Sequence, residues 1–247
     1  MHRRALVLFT LVLLSTLALG ACGGNKSPTL SDPKEIITKA IEAIQKAKYV
    51  HIEATVDGTL QSTVLGGSQA GDITLAGTTM AADVDFGNKN LHMSAGVPAM
   101  LGLTADIIVL GPDTYTKISL SGPKYAKSTT ATSTPADPAT AITQVKDFLD
   151  RPEIGPAKKD DVSCGSKSCY VVAFDLTAAE LKTLAPDTDL GDATITASMD
   201  VDKDTLYPAS LNLTAKGSTV GDLTLKITFT NWDKAVTITA PPADQVQ

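Results

Sequence analysis

The chain has 247 residues, with 21 basic and 27 acidic side chains and a formal charge of −6. Thr occurs 32 times and only eleven residues are aromatic, a composition that leans toward antiparallel β structure and has too much apolar content for global disorder. Once the leader described next is removed, 19 basic residues face 27 acidic ones, and the resulting −8 argues against a basic stripe for nucleic acid or for anionic lipid headgroups.

Met1 to Ala21 reads as a signal peptide. It has a charged head at Arg3 and Arg4, an apolar run from Ala5 to Leu14 and a small-residue exit. The apolar run is short for a stop-transfer helix. Leu19-Gly20-Ala21-Cys22 resembles the bacterial lipobox, in which the cysteine becomes the first residue and carries acyl chains; an ordinary signal peptide would leave Cys22 unexplained. The expected organisation is therefore a leader over 1–21, a lipidated Cys22 with a flexible tether over 22–31, and one domain over 32–247. That domain is expected outside the cytoplasmic membrane, anchored to its outer face. The two remaining cysteines, Cys164 and Cys169, read as a structural disulfide across the mouth of a hairpin.

In chain order, Asp32-Pro33-Lys34-Glu35 starts a helix that carries Ile37, Ile41 and Ile44 on one face as far as Lys48. From Tyr49 the period changes to two, with Val50, Ile52, Ala54 and Val56 alternating against His51, Glu53, Thr55 and Asp57. Ile73 and Leu75 continue the style, and past Gly77 the apolar parity flips to Met80, Ala82, Val84 and Phe86, which predicts a bulge or bend. A turn at Gly87–Asn90 leads to a strand with Leu91, Met93 and Ala95, and Gly111-Pro112-Asp113 closes a further hairpin.

Ser128–Pro135 is expected to be a loop, and Asp137-Pro138 opens a second helix bearing Ile142, Val145 and Leu149. Alternation returns at Tyr170, Val172, Phe174 and Leu176. Thr177-Ala178-Ala179-Glu180 is a capping box for a short helix with Leu181 and Leu184. Three alternating runs follow, containing Ile195 to Val201, Ala209-Leu211-Leu213 and Leu223 to Phe229, with a last short strand expected at Val236 and Ile238. The architecture predicted is α+β, a curved antiparallel sheet with one apolar face and two or three amphipathic helices to cover it. That face is rich in Ala, Val, Met and Leu, so it is either well packed or leaves room for an apolar guest.

Catalytic chemistry is thinly represented. His51 and His92 sit on the wet parity of their strands, where a histidine is usually just solvated. Gly66-Gly67-Ser68-Gln69-Ala70 falls one glycine short of a nucleophile elbow. Ser-x-x-Lys at Ser31–Lys34 and Ser121–Lys124 lacks companion motifs. Asp200, Asp202 and Asp204 lack the glycine and glutamate of a calcium loop and read instead as an acidic hairpin turn. No metal or cofactor site is expected, and no enzymatic activity.

The order of several segments is similar to that of the LppX/LprA/LprF/LprG family of mycobacterial-type, actinobacterial lipoproteins. The lipobox comes first, then a helix ending near Ala47-Lys48-Tyr49-Val50-His51-Ile52, the Val56-Asp57-Gly58 strand and Asp113-Thr114-Tyr115-Thr116-Lys117. The helix at Asp137-Pro138, the cysteine hairpin, Asp200-Val201-Asp202 and Tyr207-Pro208 follow. Asn231-Trp232-Asp233 and Val236-Thr237-Ile238-Thr239-Ala240-Pro241-Pro242 close the chain. The resemblance rests on order and spacing over nearly the whole mature chain; the Ser/Thr loop and Gly96–Leu103 lie outside it.

The resemblance implies a half-barrel, like the periplasmic lipoprotein carriers, closed by helices over an apolar cavity. It also implies binding of acylated lipid or glycolipid and its movement across the cell envelope, with an envelope lipid exporter as a partner. Ile52, Ala54, Val56, Leu91, Met93, Val172, Phe174, Leu211, Leu213, Leu225 and Ile227 are the candidate cavity walls. The apolar, Gly-flanked stretch Gly96–Leu103 is a candidate flap or membrane-touching loop, or else a buried connection. The rival expectations are a lipid-anchored protein–protein interaction module or transporter accessory with a filled core, and, more remotely, a small hydrolase.

Overall fold

Strand β1, Tyr49–Gln61, organises the molecule, because both of its edges are paired along most of its length. In the computed structural model, which describes residues 29–61, 71–129, 146–147, 151, 154–181, 193–217 and 221–247, one compact unit runs from Ser31 to Gln247. On one side of β1 lie β3 (Thr78–Asp85), β4 (Asn90–Val97), β5 (Leu103–Leu110), β6 (Asp113–Ile118) and β7 (Ala126–Ser128), in sequence order. On the other side lie β12 (Gly221–Thr230), β11 (Pro208–Gly217), β10 (Thr194–Asp202), β9 (Lys167–Thr177) and β8 (Ala157–Cys164), in reverse order. The result is two antiparallel meanders fused through β1. The sheet is strongly curved and stays open, with β7 and β8 at its two edges.

Helix α1, Pro33–Lys46, forms where the sequence predicts it. The Asp32 carboxylate accepts from the Lys34 N–H at 2.9 Å, Pro33 fills the first turn, and Glu35 and Lys46 complement the helix dipole. It buries Ile36, Ile37, Ala40 and Ile41 and packs against β9, where Val172 is fully enclosed. The Thr177 box also forms: the Glu180 carboxylate accepts from the Thr177 N–H at 2.6 Å and starts a single turn, α2, at Ala178–Leu181. The expected second helix at Asp137–Leu149 lies outside the described residues except for Lys146 and Asp147, which are helical. Leu184, the Ser/Thr loop from Thr130 onward, and Gly66–Ala70 lie outside them as well.

The parity flip past Gly77 is a register slip. Short strand β2, Asp72–Thr74, pairs with β1 as Thr59↔Thr74, whereas β3 pairs with it as Val56↔Thr78, so one extra residue is accommodated between them. Gly77 takes a φ of +72° there, and its N–H donates to the Asp57 carboxylate at 3.0 Å. The turn at Gly87–Asn90 is held by Asp85, whose carboxylate accepts from the Asn88 backbone and side-chain amides. Two expectations are corrected. Gly96 and Val97 complete β4, and Pro98–Gly102 form an exposed hairpin turn, not a buried connection. The cysteine hairpin is the β8–β9 pair, and β7 is an additional edge strand. Val236 and Ile238 form no strand; the tail instead crosses to Tyr125, which bridges Val246, and Ile238 packs on the Ile108–Tyr115–Tyr125 cluster.

β1 and β12 meet at two glycines that leave no room for a Cβ. Gly58 has a φ of +117°, and a Cβ there would stand 2.0 Å from the Asp222 carbonyl oxygen; one on Gly221 would meet the Thr59 carbonyl oxygen at 2.6 Å. Gly58→Ala therefore adds both backbone strain and a clash to the pairing that joins the two meanders. In urea unfolding it should cost about 2 kcal/mol or more, and a loss under about 0.5 kcal/mol would contradict this geometry.

Candidate functional site

An antiparallel register sends directly paired residues to the same side of a sheet, so the strand pairing decides which side chains share a face. One row runs Val172–Met199–Leu211–Ile227–Ala54–Met80–Ala95–Ala105. A second runs Phe174–Ala197–Leu213–Leu225–Val56 and ends on Thr78. Ile52 pairs with Phe229 and Ala82, and Ala82 with Met93; Leu91 lies in the row with Val84 and Val50. Every candidate wall residue thus falls on a single apolar face that spans both meanders. Val172, Phe174 and Ala54 are buried. Ile52, Val56, Leu91, Met93, Leu211, Leu213, Leu225 and Ile227 are half-buried.

Met80, Ala82, Ala197 and Met199 complete this face. Their alternation is visible in the sequence, but assigning them to this face requires the register. Thr78 also belongs to it: its hydroxyl is buried and finds no hydrogen-bond partner among the described residues, an orphan donor beside Val56 on an otherwise apolar surface.

The opposite face is polar. The His51 ring donates to the Asp83 carboxylate at 2.7 Å, and His92 meets Asp106 at 3.3 Å, while Asp106 also accepts from the Tyr125 hydroxyl at 3.0 Å. The Asp83 hydrogen bond, against a smaller opposing effect of burial, raises the His51 pKa above its ordinary value. Burial first, then the Asp106 contact, raises that of Tyr125. The wet parity expected for both histidines is observed; their acidic partners, on neighbouring strands, lay beyond sequence reading. An open trough of about 560 Å³ runs along this face, lined by Glu53, Thr55, Thr79, Ser94, Thr104, Asp106 and Lys117 among others. Among the described residues, no group of three or more His, Cys, Asp or Glu is placed to hold a metal ion.

Several residues in the family-like motifs serve architecture. Cys164 and Cys169 are disulfide-bonded across the β8–β9 hairpin, with Cα atoms 5.9 Å apart and Cys169 fully buried. Asp202 is a buried keystone for the β10–β11 turn, accepting from the Asp204 and Thr205 N–H groups and pairing with Lys167. Burial raises its pKa, but these partners outweigh burial and leave it below the usual carboxylate range. Trp232 stacks on Tyr207 at 4.5 Å and donates to the Pro208 carbonyl at 2.9 Å. The Asp233 carboxylate accepts from the Tyr207 hydroxyl at 2.6 Å and from the Lys48 N–H at 2.7 Å. Burial and the Asp233 contact push the Tyr207 pKa up to about 12. Asn231-Trp232-Asp233 is therefore a clasp binding the start of β1 to the β10–β11 turn. Residues 1–28, with Cys22 and most of the expected tether, lie outside the described residues, whereas Leu30, near the tether's expected end, is buried.

The fold defined by this arrangement is an open, curved, fully antiparallel sheet with one apolar face and a capped helix, the half-barrel seen in mycobacterial lipoproteins. Lipoprotein LppX of Mycobacterium tuberculosis has it, at 14% identity and a TM-score of 0.56 over 85% of this chain and 100% of LppX. LprF of Mycobacterium bovis has it as well, at 17% identity and a TM-score of 0.52 over 88% of this chain and 99% of LprF. No family model matches the sequence, and no curated protein matches it. Among the described residues no helix is long and apolar enough to cross a membrane.

The polar face supplies a pH prediction. A raised histidine pKa stabilises the fold fully below the ordinary value of 6.5 and loses that contribution as pH climbs through the raised value. In urea titrations, the stability advantage of the wild type over His51→Gln should be largest near pH ~5.5 and shrink by pH ~8. An advantage that grows with pH would contradict the His51–Asp83 pairing.

Proposed function

We propose that this chain is a lipid carrier of the cell envelope, anchored through Cys22 after removal of residues 1–21. In this reading the domain from residue 32 onward takes the acyl chains of a lipid or glycolipid against its apolar face, exchanging them with membranes or with an envelope lipid exporter. The observation that carries the reading is the single continuous apolar face, extending across both meanders and filled by Ala, Val, Leu, Ile and Met with few rings. The likeness of the fold to two mycobacterial lipoproteins supports it.

The physical requirement is direct. A sixteen-carbon chain exposed to water costs on the order of 12 kcal/mol, at roughly 0.8 kcal/mol per methylene. An apolar wall replaces bilayer by protein at nearly equal free energy, so loading and release are both accessible. Small side chains leave room for a guest, and half-buried ones lose remaining water contact when a guest arrives. No catalytic step is required of any residue.

Uptake of a pyrene-labelled phospholipid from vesicles tests the reading. Ala54→Trp and Ala82→Trp should each cut uptake about tenfold, since either ring fills space that a chain needs, with circular dichroism unchanged. Thr78→Val should raise stability by about 1 kcal/mol. Uptake equal to wild type in both tryptophan variants would overturn the carrier reading and favour an interaction module with a filled core.

A further inference from the structure

The exposed large apolar side chains are concentrated at one end of the sheet. Leu101 is 95% exposed at the apex of the β4–β5 turn, and Met100 beside it is 47% exposed. Leu120, 73% exposed, occupies the 3₁₀ turn Ser119–Ser121 that follows β6. The two turns lie side by side, since the Thr104 N–H donates to the Ser119 hydroxyl at 3.0 Å. Residues 93–105 and 118–123 contain no charged side chain, in a chain that is 19% charged overall. Exposed apolar residues scattered singly are ordinary, but a cluster at a charge-free tip is not.

The backbone makes Leu101 harder to explain by folding alone. Its φ is +57° and that of Gly102 is +69°, so the apex is a left-handed turn. Such a position is suited to Gly or Asn, and a bulky side chain there costs free energy. The turn is nevertheless ordered, with the Met100, Gly102 and Leu103 N–H groups donating to Val97, Pro98 and Met100 carbonyls. Leu101 therefore combines backbone strain with nearly complete exposure, and no packing among the described residues offsets either.

We infer that the paired turns at Leu101 and Leu120 are a membrane-docking tip that inserts into the interfacial region of a bilayer carrying anionic headgroups. The charge pattern selects a bilayer over a protein groove. Behind the tip stand Lys117, close over the Tyr125 ring, and Lys124, exposed and with no carboxylate partner among the described residues. A protruding apolar tip with cations at its shoulder, on a chain of net charge −6, matches hydrocarbon beneath anionic phosphate. The row Met80–Ala95–Ala105–Ile118 begins at this end, so a docked tip brings the edge of the apolar face to the membrane surface. The inference deepens the carrier reading by naming where the protein meets the bilayer, and it rests on exposure and backbone geometry that do not require cargo.

Flotation with vesicles of phosphatidylcholine and phosphatidylglycerol tests it, using the chain with Cys22→Ser so that no covalent lipid carries the protein to the membrane. Wild-type sequence at the tip should float with the vesicles, and Leu101→Asn combined with Leu120→Ser should lower the bound fraction about tenfold. Leu101→Asn alone should raise the unfolding midpoint by relieving the left-handed strain, so lost binding cannot be ascribed to misfolding. Lys117→Gln with Lys124→Gln should weaken binding only where phosphatidylglycerol is present. The double tip variant, supplied with lipid from detergent, should still hold it. Docking without lipid loading would overturn the carrier reading and leave the tip intact as a proposal, whereas loading without docking would do the reverse. A wild-type chain that ignores vesicles, including one that dimerises through Leu101 instead, overturns the docking tip, as does a double variant that floats like wild type.

Discussion

The pairing of β1 on both edges is the constraint from which the rest of the structure follows. Five strands grow outward from β3 and five from β12, and neither meander pairs with the other except through β1. Because side chains alternate strictly, this one strand sets the parity of both halves, and a single-residue slip in either pairing would split the apolar face in two. The glycines at the β1–β12 contact let the backbones close to distances that a Cβ would forbid. On the other edge, the slip between β2 and β3 restores the parity that places Met80, Ala82 and Val84 beside Ala54, Ile52 and Val50.

Around this strand, stability is supplied from the periphery. The clasp of Asp233, Tyr207 and Trp232 ties the start of β1 to a turn of the opposite meander, and the Cys164–Cys169 bond with buried Asp202 firms the far edge. The C-terminal tail covers Ile108, Tyr115 and Tyr125 on the polar face. Tyr115, Tyr125, Tyr207 and Trp232 are thus used in clasps and covers, and the apolar face is mostly aliphatic, with Phe174 and Phe229 among its residues. That division of labour explains how an aromatic-poor chain holds a twelve-stranded sheet while keeping a wide, mostly aliphatic face.

Much of this was legible from local pattern. The Asp32-Pro33 cap, the Thr177 box, the cysteine hairpin and the parity of nearly every long strand follow from spacing a few residues wide, and the parity flip at Gly77 announced the register slip. What stayed hidden depends on partners distant in sequence. His51 and Asp83 meet only through the β1–β3 register, and Asp202 is buried because Lys167 and two turn amides converge on it. Val236 and Ile238 alternate like a strand, yet their segment finds no adjacent edge to pair with among the described residues. The Gly96–Leu103 stretch reads poorly because it spans a strand end, a left-handed apex and a strand start within eight residues. The candidate wall residues were legible as apolar parity, while Thr78 required the structure to reveal its buried hydroxyl, unpartnered among the described residues.

The central claim is that the apolar face holds lipid. Native mass spectrometry of the chain from Gly23 onward, purified unlipidated from an actinobacterial host, addresses it most directly. A discrete added mass that extracts into chloroform as an acylated lipid is the predicted result. A bare polypeptide mass, unchanged after incubation with lipid vesicles, would contradict the account.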